Sequence, residues 1–317
     1  MFNKNEVTVS TIVSPKELKK CLDEYTIGKD EAKKVIALAI SEHIKRTWFD
    51  LNIKKTNVLL LGATGCGKSH IVNATKLLLD NLEIPCMIID AQKFSEKQFL
   101  DKYSQNVKGS IPPERGVVIL ENIDRITLNA KTSKKSFYKN SIQNEIAQVI
   151  EGKEIKNGNL VMNTKDILFI ATGTFDNVDL KIKERQDTTL YDVLGVEDLK
   201  EFGLNNFLMR KFQKVIAMPR LSKEDIISIL KQKDINPVAS YVKNLAADGV
   251  EFEIEEEAMP LIAERSITKG IGVSGIYITL TNLLTDYYFN VEDIETVKKC
   301  IITKETLENG KVKIVRK

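Results

Sequence analysis

One run of residues carries the most specific chemistry in the chain: Gly62-Ala63-Thr64-Gly65-Cys66-Gly67-Lys68-Ser69. Glycines let successive backbone N–H groups converge on phosphate, a lysine supplies a positive charge for the β and γ phosphates, and a serine hydroxyl suits a magnesium ion. An apolar run of strand length, Thr56 to Leu61, leads straight into the loop, and a helix is expected to open at Lys68-Ser69. That context predicts a nucleoside triphosphate site, ATP or a close relative, bound by Gly62, Thr64, Gly65, Cys66, Gly67, Lys68 and Ser69.

A second chemical group is acidic. The apolar run Val117 to Leu120 ends in Glu121-Asn122-Ile123-Asp124. If the run is a strand of a parallel sheet, this acidic group falls where a nucleotide's magnesium and attacked phosphate would be.

The elements that must position these groups follow from periodicity. Short strands are predicted at Pro85 to Ile89, ending at Asp90, and at Ile167 to Ile170, ending in Ala171-Thr172. A short helix starts at Pro15 and stops before Tyr25-Thr26-Ile27-Gly28, and a helical apolar stripe runs from about Asp30 to Thr47. Strands alternating with helices predict an α/β fold with a mostly parallel sheet flanked by helices. A second unit begins near Pro219. Ser222 with Asp225 reads as a capping box, Ala258 to Ile267 and Ile276 to Tyr288 read as helices, and Lys311 to Val315 reads as a terminal strand. The expected division is a tail over 1–14, a large α/β domain over 15–219 and a small α-rich lid over 220–317.

Composition sets outer bounds. The 317 residues are 43% hydrophobic and 29% charged with a net charge of +3, the profile of a folded protein, and nucleic acid is neither predicted nor excluded. MFNKNEVTVS lacks the apolar run of a signal peptide and no segment is apolar enough to span a bilayer, which predicts a cytoplasmic location. Cys21, Cys66, Cys86 and Cys300 are scattered, and the histidines are His43 and His70 alone, so neither zinc nor a disulfide framework is expected.

The sequence resembles AAA+ ATPases of the ClpX/HslU unfoldase clade, and ClpX more closely. The resemblance rests on LDEYTIGKDEAKKVIALAISEHIKR at 22–46, NVLLLGATGCGKS at 57–69, ILFIATGTF at 167–175 and FGLNNFLMRKF at 202–212. It implies a P-loop AAA+ module, a homohexameric ring, Mg²⁺-ATP held by Ser69 and Glu121 on the metal side, and a protein substrate or partner complex. By similarity, Tyr25 and Ile27 would hold the adenine, Thr172 would be the polar sensor near the γ phosphate, and Arg210 would be the finger that reaches a neighbouring subunit's nucleotide.

Departures from the family pattern are as informative. The family's Asp-Glu after the third strand, magnesium ligand then water activator, is here Glu121 and Asn122. An amide cannot accept the water's proton. Ser274 replaces the second sensor arginine. The central-channel loop reads Gln98-Phe99-Leu100-Asp101, with both glycines gone and Phe99 expected as a remaining aromatic paddle. No four-cysteine zinc domain of the ClpX kind is expected ahead of the ATPase module. The link from Asp176 to Lys200 lacks the Ile-Gly-Phe tripeptide by which ClpX docks into ClpP, so that docking is not expected. Two functions lead: slow ATP-driven remodelling or unfolding of a protein partner, and a nucleotide-gated structural or regulatory ring with little or no turnover; other AAA+ roles, DNA-associated ones included, stay open behind them.

Overall fold

The computed structural model describes residues 14–106, 111–128, 133–175, 178–184, 194–232, 238–268, 270–291 and 294–317. The chain folds as two compact units, one reaching Ala63 and resuming over Lys68–Pro219, the other formed by Thr64–Gly67 with Arg220–Lys317.

In the first unit, α1 (Pro15–Tyr25) and α2 (Asp30–Trp48) precede β1 (Val58–Gly62), α3 (Lys68–Asn81), β2 (Cys86–Asp90), α4 (Glu96–Asn106) and β3 (Val117–Glu121). After a 3₁₀ turn at Ile123–Ile126 come α5 (Ser133–Glu151), the hairpin β4 (Glu154–Asn157) and β5 (Leu160–Asn163), then β6 (Leu168–Thr174). The short helices α6 (Val178–Glu184), α7 (Val196–Glu201) and α8 (Asn206–Met209) lead to β7 (Lys214–Met218).

Five strands form a parallel sheet in the order β2-β3-β6-β1-β7. Its inner strands are continuous apolar runs because helices cover both faces: Val58, Leu59, Leu60 and Leu61 are all fully buried, as are Val117 to Leu120. The α/β sheet expected from the sequence is therefore present. Its register sets Asp90 opposite Glu121, Leu60 opposite Thr172 and Gly62 opposite Thr174, which gathers these residues at the C-terminal ends of neighbouring strands.

The second unit contains α9 (Lys223–Lys231), α10 (Val238–Ala247), β8 (Glu251–Ile254), α11 (Met259–Thr268), α12 (Val273–Asn290), β9 (Val297–Ile302), α13 (Lys304–Asn309) and β10 (Lys313–Arg316). The capping box at the start of α9 forms as predicted: the Ser222 hydroxyl accepts from Asp225 N at 3.0 Å while the Asp225 carboxylate accepts from Ser222 N at 2.9 Å. The expectation of a single short terminal strand is corrected. β10 pairs antiparallel with β9, and β8 lies parallel on its other side, so this unit has a three-stranded sheet. Among the described residues, no helix is long and apolar enough to cross a membrane.

Candidate nucleotide site

The loop after β1 has the backbone its sequence requires. Gly65 has φ +76° and Gly67 φ +99°, conformations in which side-chain-bearing residues are strained. Ala63 and Cys66 are buried and anchor the loop from within, whereas Thr64 and Ser69 are exposed. Lys68 is the first residue of α3, and its ammonium donates to the carbonyls of Gly62 at 2.7 Å and Ala63 at 2.9 Å. The charge is thus held at the mouth of the loop at the positive end of a fourteen-residue helix.

On the acidic side, Asn122 follows directly on β3 in the left-handed region with φ 60° and ψ 40°, which asparagine tolerates better than most residues. Its side-chain amide donates to Asp90 Oδ2 at 2.9 Å. The other oxygen of Asp90 accepts from Gln92 N at 2.9 Å, and Arg125 lies 3.6 Å from Oδ2. Burial, reinforced by the nearby Asp90 charge, raises the Glu121 pKa above its ordinary value. Asp124 has a separate duty: its Oδ1 accepts from Thr174 N at 2.8 Å, bracing the end of β6. Because Thr174 is the register partner of Gly62, that bond ties the acidic turn to the strand carrying the phosphate loop.

Thr172 is buried two residues before the end of β6. Tyr25 is the last residue of α1, its hydroxyl accepts from Asn81 Nδ2 at 3.2 Å at the far end of α3, and Ile27 beyond it is half-buried. Arg210 is exposed at the C-terminal end of α8, and among the described residues no hydrogen bond or ion pair joins it to Lys68, Glu121 or Asn122. Ser274, in the second unit, is exposed in the first turn of α12.

The structure corrects the expected aromatic paddle. Phe99 lies inside α4, is only 2% exposed, and stacks on Tyr103 with ring centres 5.6 Å apart and planes at 16°. The ring centre of Phe94 lies 5.7 Å from that of Phe99, with the planes tilted at 35°. Without the two glycines the segment continues as helix, and Phe99, Leu100 and Tyr103 form the apolar stripe that fastens α4 to the core beside the sheet.

A divalent cation fits what is present. Ser69 and Glu121 supply oxygen donors, and a cation would relieve the Glu121 carboxylate, whose pKa is raised by burial and, second, by the Asp90 charge. Among the described residues, no group of three or more His, Cys, Asp or Glu side chains could hold a metal by itself. The residue that sequence reasoning missed is Asp90. It appeared only as the end of a strand, and the β2–β3 register is what brings it to Asn122.

A family model described as AAA domain (Cdc48 subfamily) matches residues 53–217. Among curated proteins the chain is 29% identical over 347 residues to the ATP-dependent Clp protease ATP-binding subunit ClpX of Treponema denticola, covering 95% of this chain and 83% of that one. It is 28% identical over 343 residues to the protein of the same name from Borrelia duttonii, covering 94% and 79%.

Proposed function

Because the chain belongs to the AAA domain family (Cdc48 subfamily), we propose that it binds Mg²⁺-ATP through the 62–69 loop and uses it slowly to remodel or unfold a protein partner, without docking to ClpP. The nucleotide half of this reading is supported by the left-handed glycines Gly65 and Gly67 and by Lys68, whose ammonium is held by two carbonyls that a phosphate would replace. When bound, magnesium would neutralise charge on the phosphates. The protein half is supported by likeness to relatives named as ATP-binding subunits of an ATP-dependent protease. The ATPase domain is assigned to residues 15–219 and the lid to 220–317.

One observation carries the slow turnover: the residue in the water-activating position is Asn122, and its amide is already committed to Asp90 at 2.9 Å. An amide can orient water but cannot take its proton. The same bond favours a second reading, a homohexameric ring that assembles around ATP and seldom hydrolyses it. Exposed Arg210 supports a ring in either case, since a guanidinium free to leave its own subunit could meet a neighbour's phosphates. Single-turnover hydrolysis at saturating protein separates the two. Slow release of phosphate that quickens when a protein partner is present supports remodelling, and hydrolysis that stays at the rate of ATP in buffer, with ATP nonetheless bound, supports the ring.

A further inference from the structure

Outside the phosphate loop, the first unit carries an open cleft of 580 Å³ lined by Gln92, Arg125, Ile126, Tyr138, Lys139 and Ile142. Its floor is aliphatic, formed by the buried Ile126 and Ile142. Two cations stand on its walls: Arg125, whose side chain is 55% exposed, and Lys139, whose ammonium donates to the Thr127 carbonyl at 3.2 Å. Among the described lining residues there is no carboxylate. At the rim Tyr138 is 64% exposed and its neighbour Phe137 is 80% exposed. Two adjacent rings left in water are area that a partner's apolar side chains would cover.

We propose that this cleft binds an acidic segment of a protein partner, with an apolar side chain on the Ile126–Ile142 floor and a carboxylate on Arg125 and Lys139. A nucleic-acid strand fits less well. It needs a row of cations along its phosphates, whereas the described lining residues offer two, and Asp90 stands 3.6 Å from Arg125, where it would repel a phosphate chain. A single carboxylate has only to share Arg125 with Asp90. Since Asp90 also holds Asn122, an occupant that draws Arg125 away changes the charge beside the residue in the water-activating position. This gives partner binding a direct electrostatic route to the nucleotide chemistry.

The inference rests on the reading that the chain acts on a protein partner, so its test measures peptide and nucleotide separately. The full chain is titrated into a short labelled peptide rich in glutamate and leucine, into its glutamine counterpart, and into a labelled single-stranded oligonucleotide, and anisotropy is followed. The same preparations are titrated with ATP. Saturable binding of the glutamate peptide is expected, weakened about tenfold or more by Arg125→Ala or Tyr138→Ala, and unchanged by Phe289→Ala, which alters a ring 86% exposed in the other unit. Both lining side chains are exposed, and thermal melts of the variants check that they fold as the native chain does. Absence of saturable binding, equal binding of the glutamine peptide, tighter binding of the oligonucleotide, or indifference to both lining variants overturns the cleft. If ATP still binds in any of those cases, the nucleotide reading stands and the cleft alone fails.

Discussion

The side-chain amide of Asn122 lies 2.9 Å from a carboxylate oxygen of Asp90, a bond between the ends of adjacent parallel strands. A glutamate at position 122 would bring a second negative charge against Asp90, with Glu121 already beside them. Restoring the family's carboxylate is therefore only part of restoring its chemistry. Asn122→Glu should raise single-turnover hydrolysis with little change in ATP affinity, and Asn122→Glu combined with Asp90→Asn should raise it further. A general base contributes about 10²- to 10⁴-fold, so the double variant should approach that range. Rapid native turnover that Asn122→Ala leaves untouched would count against slow hydrolysis at this site.

Lys68→Ala should remove about 10- to 100-fold of triphosphate affinity, the size of a lost charge-assisted contact. Lys68 is only half-buried at the first position of α3, so the fold should survive its loss. Calorimetric titration with Mg²⁺-ATP reads the first effect and a thermal melt the second. Equal affinities would remove the assignment.

Assembly should follow nucleotide. Particle mass from light scattering should rise when a slowly hydrolysed ATP analogue is added, because an arginine shared with a neighbour's phosphates links binding to association. Arg210→Ala, at an exposed position, should abolish the rise without unfolding the subunit. A chain that stays monomeric at high concentration with the analogue present speaks against a ring.

No complex with a ClpP peptidase is expected in co-sedimentation with ATP. The Asp176–Lys200 link lacks the Ile-Gly-Phe plug, although residues 176, 177 and 185–193 of it lie outside the described residues. Within its described parts, Lys181 and Asp198 pair at 3.2 Å, joining α6 to α7. A stoichiometric co-pellet would contradict this.

His43 predicts an acid-sensitive limb. The buried ring meets the Arg115 carbonyl through Nε2 at 2.9 Å and Arg46 through Nδ1 at 3.3 Å, partners that assign the proton to Nε2. Burial is the main cause that lowers its pKa from 6.5 to about 3, with the charges of Arg46 and Lys55 lowering it further against the Arg115 bond. Between those values the unfolded chain binds more protons than the folded one, so stability present above about 6.5 is lost as pH falls toward 3. Urea midpoints measured across that window should show a slope that His43→Gln flattens. An unchanged slope would mean that other groups carry the acid limb.

Local pattern makes much of this legible. The loop, its strand and its helix are readable from residues 56–69 because each signal lies within a few positions of the next, and Ser222 with Asp225 announces α9 for the same reason. What depends on register is hidden. Asp90 and Asn122 are 32 positions apart and meet only because β2 and β3 pair with Asp90 opposite Glu121. β8 and β9 escape a reading by pattern because Glu251–Ile254 is short and Val297–Ile302 carries two lysines, leaving weak strand signals until the two pair. Phe99 misleads by analogy with a loop, although the spacing of Phe99, Leu100 and Tyr103 already marks one face of a helix.

The burial of Phe99 also bears on any mechanical work proposed for the chain. Moving such a ring from core to water costs about 1.5–3 kcal/mol, which at the upper end leaves it outside in on the order of one molecule in a hundred. A power stroke needs a lever that is in place on every cycle, so Phe99 would slip on a cargo far more often than it pulled. Traction on a polypeptide would then fall to side chains that stand in water without any such excursion, and a subunit built this way suits holding or loosening a weakly structured partner better than tearing open a stable one.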